Sequence, residues 1–185
     1  MSTYTQIIYQ IVFSTKNRER TLTNPSRQEL FKYIWGIHKN KNCHLYRING
    51  VDDHLHIVTH IHPSVSLASL IKDIKLASSD YIKKSGVFQK FNGWQDGYGA
   101  FTYSIKEKDR LIEYVKNQEE HHKTKTFREE YIELLNDHEI EFDEKYLLWN
   151  IQSASGGLWC MRYFMHRILC GVIQIQSLRD FTYDL

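Results

Sequence analysis

Residues 54–62 read HLHIVTHIH and alternate between two sets of side chains, which is the pattern of a β-strand with two different faces. One face carries Leu55 and Ile57, which anchor the strand in a core. The other face carries His54, His56, Val58, His60 and His62. His54 and His56 are therefore neighbours about 6.5–7 Å apart at their Cα atoms, close enough to hold one metal ion. The alternative is a polar face of ordinary histidines, with the two C-terminal ones exposed or at the rim.

The segments on either side extend this strand into a sheet. Period-two runs predict strands at residues 5–14, 43–49 and 98–105, and helical spacing of apolar residues predicts helices at 25–41 and 67–84. The order β-α-β-β-α-β predicts an α+β protein with the ferredoxin-like arrangement, an antiparallel sheet with both helices on one face. Additional C-terminal helices are predicted at residues 107–121 and 127–138. The second face of the sheet is then either covered by these helices or free to bind a partner.

Length and composition indicate a globular protein with one main domain. The 185 residues are 42% hydrophobic and 25% charged, which argues against a disordered chain. We expect residues 1–150 to form this domain and residues 151–185 to be an extension of unknown role, because the sequence changes character after a Ser/Gly break. No apolar run suffices for a membrane span, no signal peptide is apparent, and the three cysteines are scattered. We therefore expect a cytoplasmic protein with reduced thiols.

The net charge of +2 is unevenly distributed along the chain. Residues 1–94 hold 13 basic and 6 acidic side chains, whereas residues 95–150 hold 8 and 14. A basic first half favours a polyanionic partner such as a nucleic acid, unless the charges simply form solvated faces. Candidate phosphate contacts follow the first strand or form a stripe on the second helix, namely Lys16, Arg18, Arg20, Lys72 and Lys75.

Tyr114 and Gln118 lie four residues apart in the predicted helix 107–121 and therefore share one face of it. In isolation the pair indicates little, since Tyr114 is better explained as a half-buried aromatic residue and Gln118 as a surface residue. The pair gains meaning from its place in the sequence, because Tyr114 follows the His-x-His strand by 58 residues, counted from His56.

Four motifs occur together in one order along the chain. They are FSTKNR at 13–18, HLH at 54–56, WQDGYGAF at 94–101 and YVKNQ at 114–118. The combination resembles the single-tyrosine HUH transposases, enzymes of insertion sequences that move as single-stranded DNA (the IS200-like transposases). The resemblance covers roughly residues 4–148 and does not extend into the last part of the chain.

The resemblance implies a metal-dependent DNA transposase that cleaves and rejoins single-stranded DNA at the ends of an insertion sequence. It implies that Tyr114 is the nucleophile and forms a 5′-phosphotyrosine intermediate. It further implies that His54, His56 and Gln118 hold a divalent ion, Mg²⁺ or Mn²⁺. The partners implied are hairpin DNA ends and a second copy of the chain, a homodimer in which the tyrosine of one subunit acts in trans on its partner's site.

Three other functions stay open on sequence grounds. An HUH nickase, or a domesticated relative that acts on repeated palindromes, shares the cleavage chemistry but differs in substrate and strand transfer. A non-catalytic nucleic-acid-binding module of ferredoxin-like fold has no need of Tyr114. A phosphohydrolase with a His-x-His-x-His pattern is disfavoured, because the third position is Val58.

Overall fold

The computed structural model describes residues 4–143 and residue 147, so the predicted extension 151–185 lies outside the described residues. The elements, in chain order, are β1 (Ile8–Ser14), α1 (Arg27–Asn40), β2 (His44–Gly50), β3 (His54–His60), α2 (Leu67–Ser85), β4 (Gly99–Tyr103), α3 (Lys108–Lys116), α4 (Gln118–His121) and α5 (Phe127–Asp137). The four strands and the first two helices begin and end within three residues of their predicted bounds. None of the helices described is long and apolar enough to cross a membrane.

The four strands form one antiparallel sheet in the order β2-β3-β1-β4. In the middle of the sheet, Ile11 of β1 faces Ile57 of β3 on one side and Ala100 of β4 on the other. β3 is thus inserted between the two strands that α1 connects, which is the ferredoxin-like arrangement. The predicted fold class is confirmed.

The first face of the sheet packs against α1 and α2 and forms the larger core. Its fully buried members include Ile11, Phe13, Leu55 and Ile57 of the sheet, Leu30 and Ile34 of α1, and Leu70 and Ile74 of α2. The helix α2 begins after Ser66, whose hydroxyl accepts a hydrogen bond from the Ser69 amide at 3.2 Å. It ends at Gly86, which adopts φ +68°, a backbone conformation that favours glycine.

The second face of the sheet is covered by α3 and α5 and is not free. Val58 packs with Leu111 of α3, and Phe101 packs with Phe127 of α5. The physical reason is that this face also carries apolar side chains, whose burial requires a second layer of helices. Because the histidines of β3 share this face, His54 and His56 are 0% exposed.

The predicted helix 107–121 is interrupted, and the structure divides it into α3 and α4 at Asn117. Asn117 has φ −94° and ψ 18°, which lies outside the helical range. Backbone hydrogen bonds still continue across the interruption, since the Asn117 amide donates to the Glu113 carbonyl and the His121 amide to the Asn117 carbonyl. The backbone therefore continues from α3 into α4 without a loop. The side chains of Tyr114 and Gln118 both lie on the second face of the sheet.

Candidate active site

His54 stands at the beginning of β3, where Asp53 and Arg18 hold its ring. Its Nδ1 atom lies 2.7 Å from Oδ1 of Asp53, and Oδ2 of Asp53 accepts a hydrogen bond from Nη2 of Arg18 at 2.6 Å. Because a carboxylate can only accept, Nδ1 of His54 carries the hydrogen and Nε2 presents a lone pair to the interior. Burial lowers the pKa of His54 to about 4, although the hydrogen bond to Asp53 opposes the change. The imidazole is therefore neutral at pH 7, as a metal ligand must be.

His56 lies two residues along β3 and is held by Gln10 of β1. The Nδ1 atom of His56 is 3.1 Å from Nε2 of Gln10, and Oε1 of Gln10 accepts a hydrogen bond from the Tyr103 hydroxyl at 2.7 Å. The rings of His54 and His56 have centroids 5.2 Å apart. Strand alternation thus makes the two imidazoles neighbours, as the sequence predicts.

Tyr114 reaches the same cluster from α3, within a single chain. Its hydroxyl donates a hydrogen bond to Oε1 of Glu130, and its ring centroid is 6.1 Å from that of His56. Burial, followed by the charge of Glu130, raises the pKa of Tyr114 well above its usual range. The phenol is therefore neutral at pH 7, and its oxygen is held in one direction by the carboxylate.

Gln118 is also brought to the cluster and is 0% exposed, so it is not a surface residue. Its Nε2 donates a hydrogen bond to Oε1 of Glu130 at 2.9 Å. Its Oε1 is buried and has no hydrogen-bond partner in the part of the chain that the structure describes. The structure thus places Gln118 against Glu130, and its Oε1 has no partner among the described residues.

Glu130 of α5 lies at the centre of this arrangement, and sequence reasoning missed it. Its Oε1 accepts the hydrogen bonds from Tyr114 and Gln118, while its Oε2 lies 3.3 Å from Nε2 of His56 and 3.2 Å from Nε2 of His122. Burial by itself raises the pKa of Glu130, but the adjacent imidazoles, first His56 and then His122 and His54, lower it further than burial raises it. The carboxylate is therefore ionised at pH 7.

The signal for Glu130 is present in the sequence of α5. The apolar positions of this helix follow 3.6-residue spacing, and Glu130 falls on the same stripe, three residues after Phe127 and four before Leu134. Burial of an acidic side chain in an apolar stripe is energetically unfavourable unless the carboxylate has hydrogen-bonding or cationic partners. Such a residue indicates a functional carboxylate, and the burial of Glu130 at 0% exposed agrees.

His122 follows α4 and was likewise missed. Its Nε2 lies 3.0 Å from Nε2 of His54, and its Nδ1 lies 2.9 Å from the carbonyl oxygen of Lys125. The available signal was its position four residues after Gln118, on the same side of a helical turn. A tandem pair of histidines in a charged segment is a weak sequence pattern. Only the structure reveals that His122 contacts His54, whereas Nε2 of His121 lies 3.7 Å from Oε1 of Glu130.

The cluster has the donor atoms that a divalent ion needs. One ligand atom each from His54, His56, His122 and Glu130 lies within 4.8 Å of all the others. Buried atoms without an aligned hydrogen-bond partner among the described residues converge here, namely Nε2 of His56, Oε1 of Gln118, Nε2 of His121 and Oε2 of Glu130. Buried polar atoms are rarely left unpaired, so the residues present fit a bound cation.

The five candidate DNA-binding residues fall into two groups. Arg18 bonds to Asp53 beside the histidines, and Lys75 donates to the carbonyls of Gln95 and Gly97 at 2.7 Å each, so both hold the fold. Burial lowers the pKa of Lys75 to about 8. The other three are exposed, namely Lys16, Arg20 and Lys72.

A cleft of about 540 Å³ opens next to His54 and carries more basic than acidic side chains. The basic ones are Arg18, Arg20, Arg27, Lys123 and Lys125, and the acidic ones are Asp52, Asp53 and Glu119. Arg27 is 4% exposed and bonds to the Gly50 carbonyl and to Glu119, so it ties the β2–β3 turn to α4. Arg20 is exposed in this cleft and is available to an anionic ligand.

Removal of the carboxylate behind His54 tests how strongly it orients the ring. We expect Asp53→Ala to weaken the affinity for Mn²⁺ about 10- to 100-fold, because the partner that fixes the tautomer of a ligand histidine has effects of that size. Isothermal titration calorimetry measures the change. Asp52→Ala is the matched control, since its side chain is 45% exposed and lies 3.6 Å from Arg27. Unchanged Mn²⁺ affinity in Asp53→Ala contradicts this role.

Comparisons with known proteins agree with the geometry. Residues 3–118 match the family model described as "Transposase IS200 like". No curated protein matches the sequence. A Deinococcus radiodurans R1 protein classed as a transposase is 19% identical with a TM-score of 0.52, over 64% of this chain and 95% of that chain. A REP-associated tyrosine transposase bound to a REP hairpin is 17% identical with a TM-score of 0.50, over 66% of this chain and 74% of that chain. At these identities the two structures share the fold.

Proposed function

The chain belongs to the IS200-like transposase family, and from this premise we propose that it cleaves and rejoins single-stranded DNA through a covalent bond to Tyr114. One observation carries the proposal. The Tyr114 hydroxyl and the His56 imidazole both contact the Glu130 carboxylate, inside one buried cluster. Packing of a tyrosine against the sheet does not by itself explain why two histidines and a carboxylate are buried near its hydroxyl, since burying such groups is unfavourable.

The proposed reaction is a transesterification at phosphorus. The Tyr114 oxygen attacks the phosphorus of a DNA phosphodiester, the bond from phosphorus to the 3′ oxygen breaks, and the proton lost by the phenol is balanced by the one gained by the 3′-OH. The 5′-phosphotyrosine conserves the ester bond, so a second 3′-OH can reverse the step without an energy source. Glu130 contributes by directing the hydroxyl hydrogen away from the reacting lone pair of Tyr114.

A divalent ion is proposed to assist this reaction. His54 and His56 would hold it, and the third ligand that the family resemblance implies is Gln118, whose Oε1 is buried without a partner among the described residues. When bound, an ion such as Mg²⁺ or Mn²⁺ neutralises charge on the phosphate and polarises it. The neutral His54 ring and the ionised Glu130 carboxylate are the protonation states that suit cation binding.

The proposed substrate is single-stranded DNA with a hairpin. The REP-associated tyrosine transposase that shares this fold was solved with a REP hairpin, which supports a hairpin ligand for this chain. The cleft beside His54 leads to the cluster and carries exposed Arg20. Phosphates in this cleft would lie beside His54 and His122, which line it, whereas Tyr114 lines a separate cavity of about 440 Å³.

A denaturing gel tests the proposed function. Incubation of the full chain with Mn²⁺ and labelled single-stranded hairpin oligonucleotides from the DNA that flanks the gene is expected to leave label attached to protein, at a peptide containing Tyr114. Addition of an acceptor strand with a free 3′-OH is expected to release a joined product, which separates a transposase from a nickase. If the folded chain binds these hairpins but forms no adduct, the non-catalytic binding module is the better description.

Charge removal in the cleft tests the path of the DNA. We expect Arg20→Ala to weaken hairpin binding about three- to tenfold and to lower the slope of log affinity against log salt by about 1, because one phosphate contact is lost. Fluorescence anisotropy at several salt concentrations measures both values. Lys72→Ala is the matched control, since it removes the same charge from α2, which packs on the opposite face of the sheet. A larger effect for Lys72→Ala places the DNA on that opposite face instead.

A mixing experiment tests whether Tyr114 acts in trans, as the family resemblance implies. Within one chain, Tyr114 and His56 already contact the same Glu130, which supports action in cis. We therefore expect an equimolar mixture of Tyr114→Phe and His56→Ala chains to form no adduct, as each does alone. The readout is the labelled adduct on chains of different tag length. Recovery of adduct in the mixture establishes the homodimer with exchanged tyrosines.

A further inference from the structure

We propose that His122 and Glu130, in place of the Gln118 oxygen that the family resemblance implies, complete the ligands of the metal ion. The site is then built from three imidazoles and one carboxylate. Taking His54 and His56 as the other two ligands rests on the proposed function. Neither His122 nor Glu130 belongs to residues 3–118, the part that matches the family model. Both residues therefore lie in the α4–α5 region, after the matched part of the chain.

The separations between donor atoms are close to those of ligands around one ion: three of the four given below fall in the expected range, the fourth is slightly longer, and all the donor atoms lie within 4.8 Å of one another. Donor atoms that bind an ion at roughly 2.0–2.2 Å lie about 3 to 3.6 Å from one another. Nε2 of His122 is 3.0 Å from Nε2 of His54 and 3.2 Å from Oε2 of Glu130. The same oxygen of Glu130 lies 3.3 Å from Nε2 of His56 and 3.8 Å from Nε2 of His54.

The hydrogen bonds on the far sides of His54 and His122 make their facing nitrogens lone-pair donors. Nδ1 of His54 faces the Asp53 carboxylate, and Nδ1 of His122 faces the Lys125 carbonyl, and both of these oxygens can only accept. Both Nδ1 atoms therefore carry hydrogen, and two Nε2 lone pairs point at each other across 3.0 Å. Such an arrangement repels unless a cation lies between the rings, and that cation is either a proton on His122 or a metal ion.

For Nε2 of His56 to act as a ligand together with His54 and His122, the side-chain amide of Gln10 must be turned over. As placed, Nε2 of Gln10 faces Nδ1 of His56, and Oε1 of Gln10 accepts from the Tyr103 hydroxyl. A hydroxyl can both donate and accept, so the Gln10 amide can be turned over to accept from Nδ1 of His56. Nε2 of His56, which has no aligned partner among the described residues, then presents its lone pair to the ion.

Gln118 then positions the carboxylate. Its Nε2 bonds to Oε1 of Glu130, the oxygen that also accepts from Tyr114, which leaves Oε2 directed at the three imidazoles. Glu130 thereby connects the nucleophile to the ion through its two oxygens. Three imidazoles and one carboxylate favour Mn²⁺ and Zn²⁺ over Mg²⁺, which prefers oxygen ligands and retained water.

Calorimetry on the chelator-stripped full chain tests the ligand set without any DNA. We expect His122→Ala and Glu130→Gln each to weaken Mn²⁺ binding by more than about 100-fold and Gln118→Ala to weaken it by only about 10-fold, since a lost ligand costs more than a lost supporting contact. The rise in melting temperature on adding Mn²⁺ is expected to vanish in the first two variants only. His62→Ala, an exposed histidine of the chain, is the matched control.

A spectroscopic readout on the unmodified chain avoids any question of misfolded variants. With ¹⁵N-labelled histidine, Zn²⁺ is expected to shift the Nε2 resonances of three imidazoles, including that of His122. A His122 Nε2 that remains protonated in saturating Zn²⁺, or loss of Mn²⁺ binding in Gln118→Ala but not in His122→Ala, overturns the proposed set. The adduct at Tyr114 is measured in a separate assay. Absence of the adduct therefore does not affect the conclusion on the metal ligands, and a different ligand set does not affect the conclusion on the adduct.

Discussion

Tyr114→Phe is expected to abolish strand cleavage and the covalent DNA–protein product, a loss of at least about 10³-fold, because the substitution removes the only oxygen that the proposed reaction uses as nucleophile. Hairpin binding is expected to stay within about threefold of the unmodified chain, since the hydroxyl lies in the cluster and not along the basic cleft. A single-turnover assay on a labelled oligonucleotide and an anisotropy titration measure the two properties.

The fold is expected to survive this substitution. Oε1 of Glu130 loses the Tyr114 hydroxyl but keeps the hydrogen bond from Gln118 at 2.9 Å, so the buried carboxylate is not left without a donor. The expected cost is about 1–2 kcal/mol of the free energy of unfolding, measured by denaturant titration. Tyr33→Phe is a suitable control, because Tyr33 stacks on Tyr81 in the α1–α2 layer. Normal adduct formation by Tyr114→Phe refutes the assignment of the nucleophile.

His56→Ala is expected to abolish cleavage through loss of the metal ion. The imidazole contributes one of the ligand nitrogens and lies 3.3 Å from the Glu130 carboxylate, so its removal weakens Mn²⁺ binding by at least about 100-fold. Excess Mn²⁺ is expected to restore activity poorly, because the remaining donors no longer surround the ion. Calorimetry and the single-turnover assay report the two losses.

A second substitution separates the chemistry from the packing at this position. His56→Ala leaves a cavity in a fully buried site, whereas His56→Asn retains a polar group next to Gln10 and more of the volume. If both variants are folded by circular dichroism and both lose metal and cleavage, the ligand role is supported. Cleavage at the normal rate by either folded variant shows that the metal assignment is wrong. His62→Ala again serves as the control.

The pattern of side chains along the strands was sufficient to predict the core of the fold. A strand places successive residues on opposite faces, so the neighbouring rings of His54 and His56 follow from their spacing alone. The helices before and after the β2–β3 hairpin were recognisable because their apolar stripes are long and regular. The break at Asn117 was not, because residues 107–121 contain no Pro or Gly that would indicate an interruption.

The candidate site was predictable only where a residue belongs to a local motif. His54, His56, Tyr114 and Gln118 occur in short patterns, and the structure brings all four together. Arg18 was predicted to contact DNA, and this stays a prediction, because Arg18 lines the basic cleft but also bonds to Asp53 and lies over the Phe127 ring. The sequence does not show which group a basic side chain contacts. That depends on which acidic residues the fold brings next to it.

The sequence alone was sufficient to predict three things. They are the alternation of side chains along β3, the β-α-β-β-α-β order of elements and the family to which the chain belongs. The folding of α5 onto the second face of the sheet decided the rest. It carries Glu130 to a point where Tyr114, His56 and His122 meet, although these residues are separated by up to 74 positions in the chain. Periodicity describes neighbours within one element. Which carboxylate meets which imidazole depends on how apolar faces pack between elements, and that is a property of the folded chain.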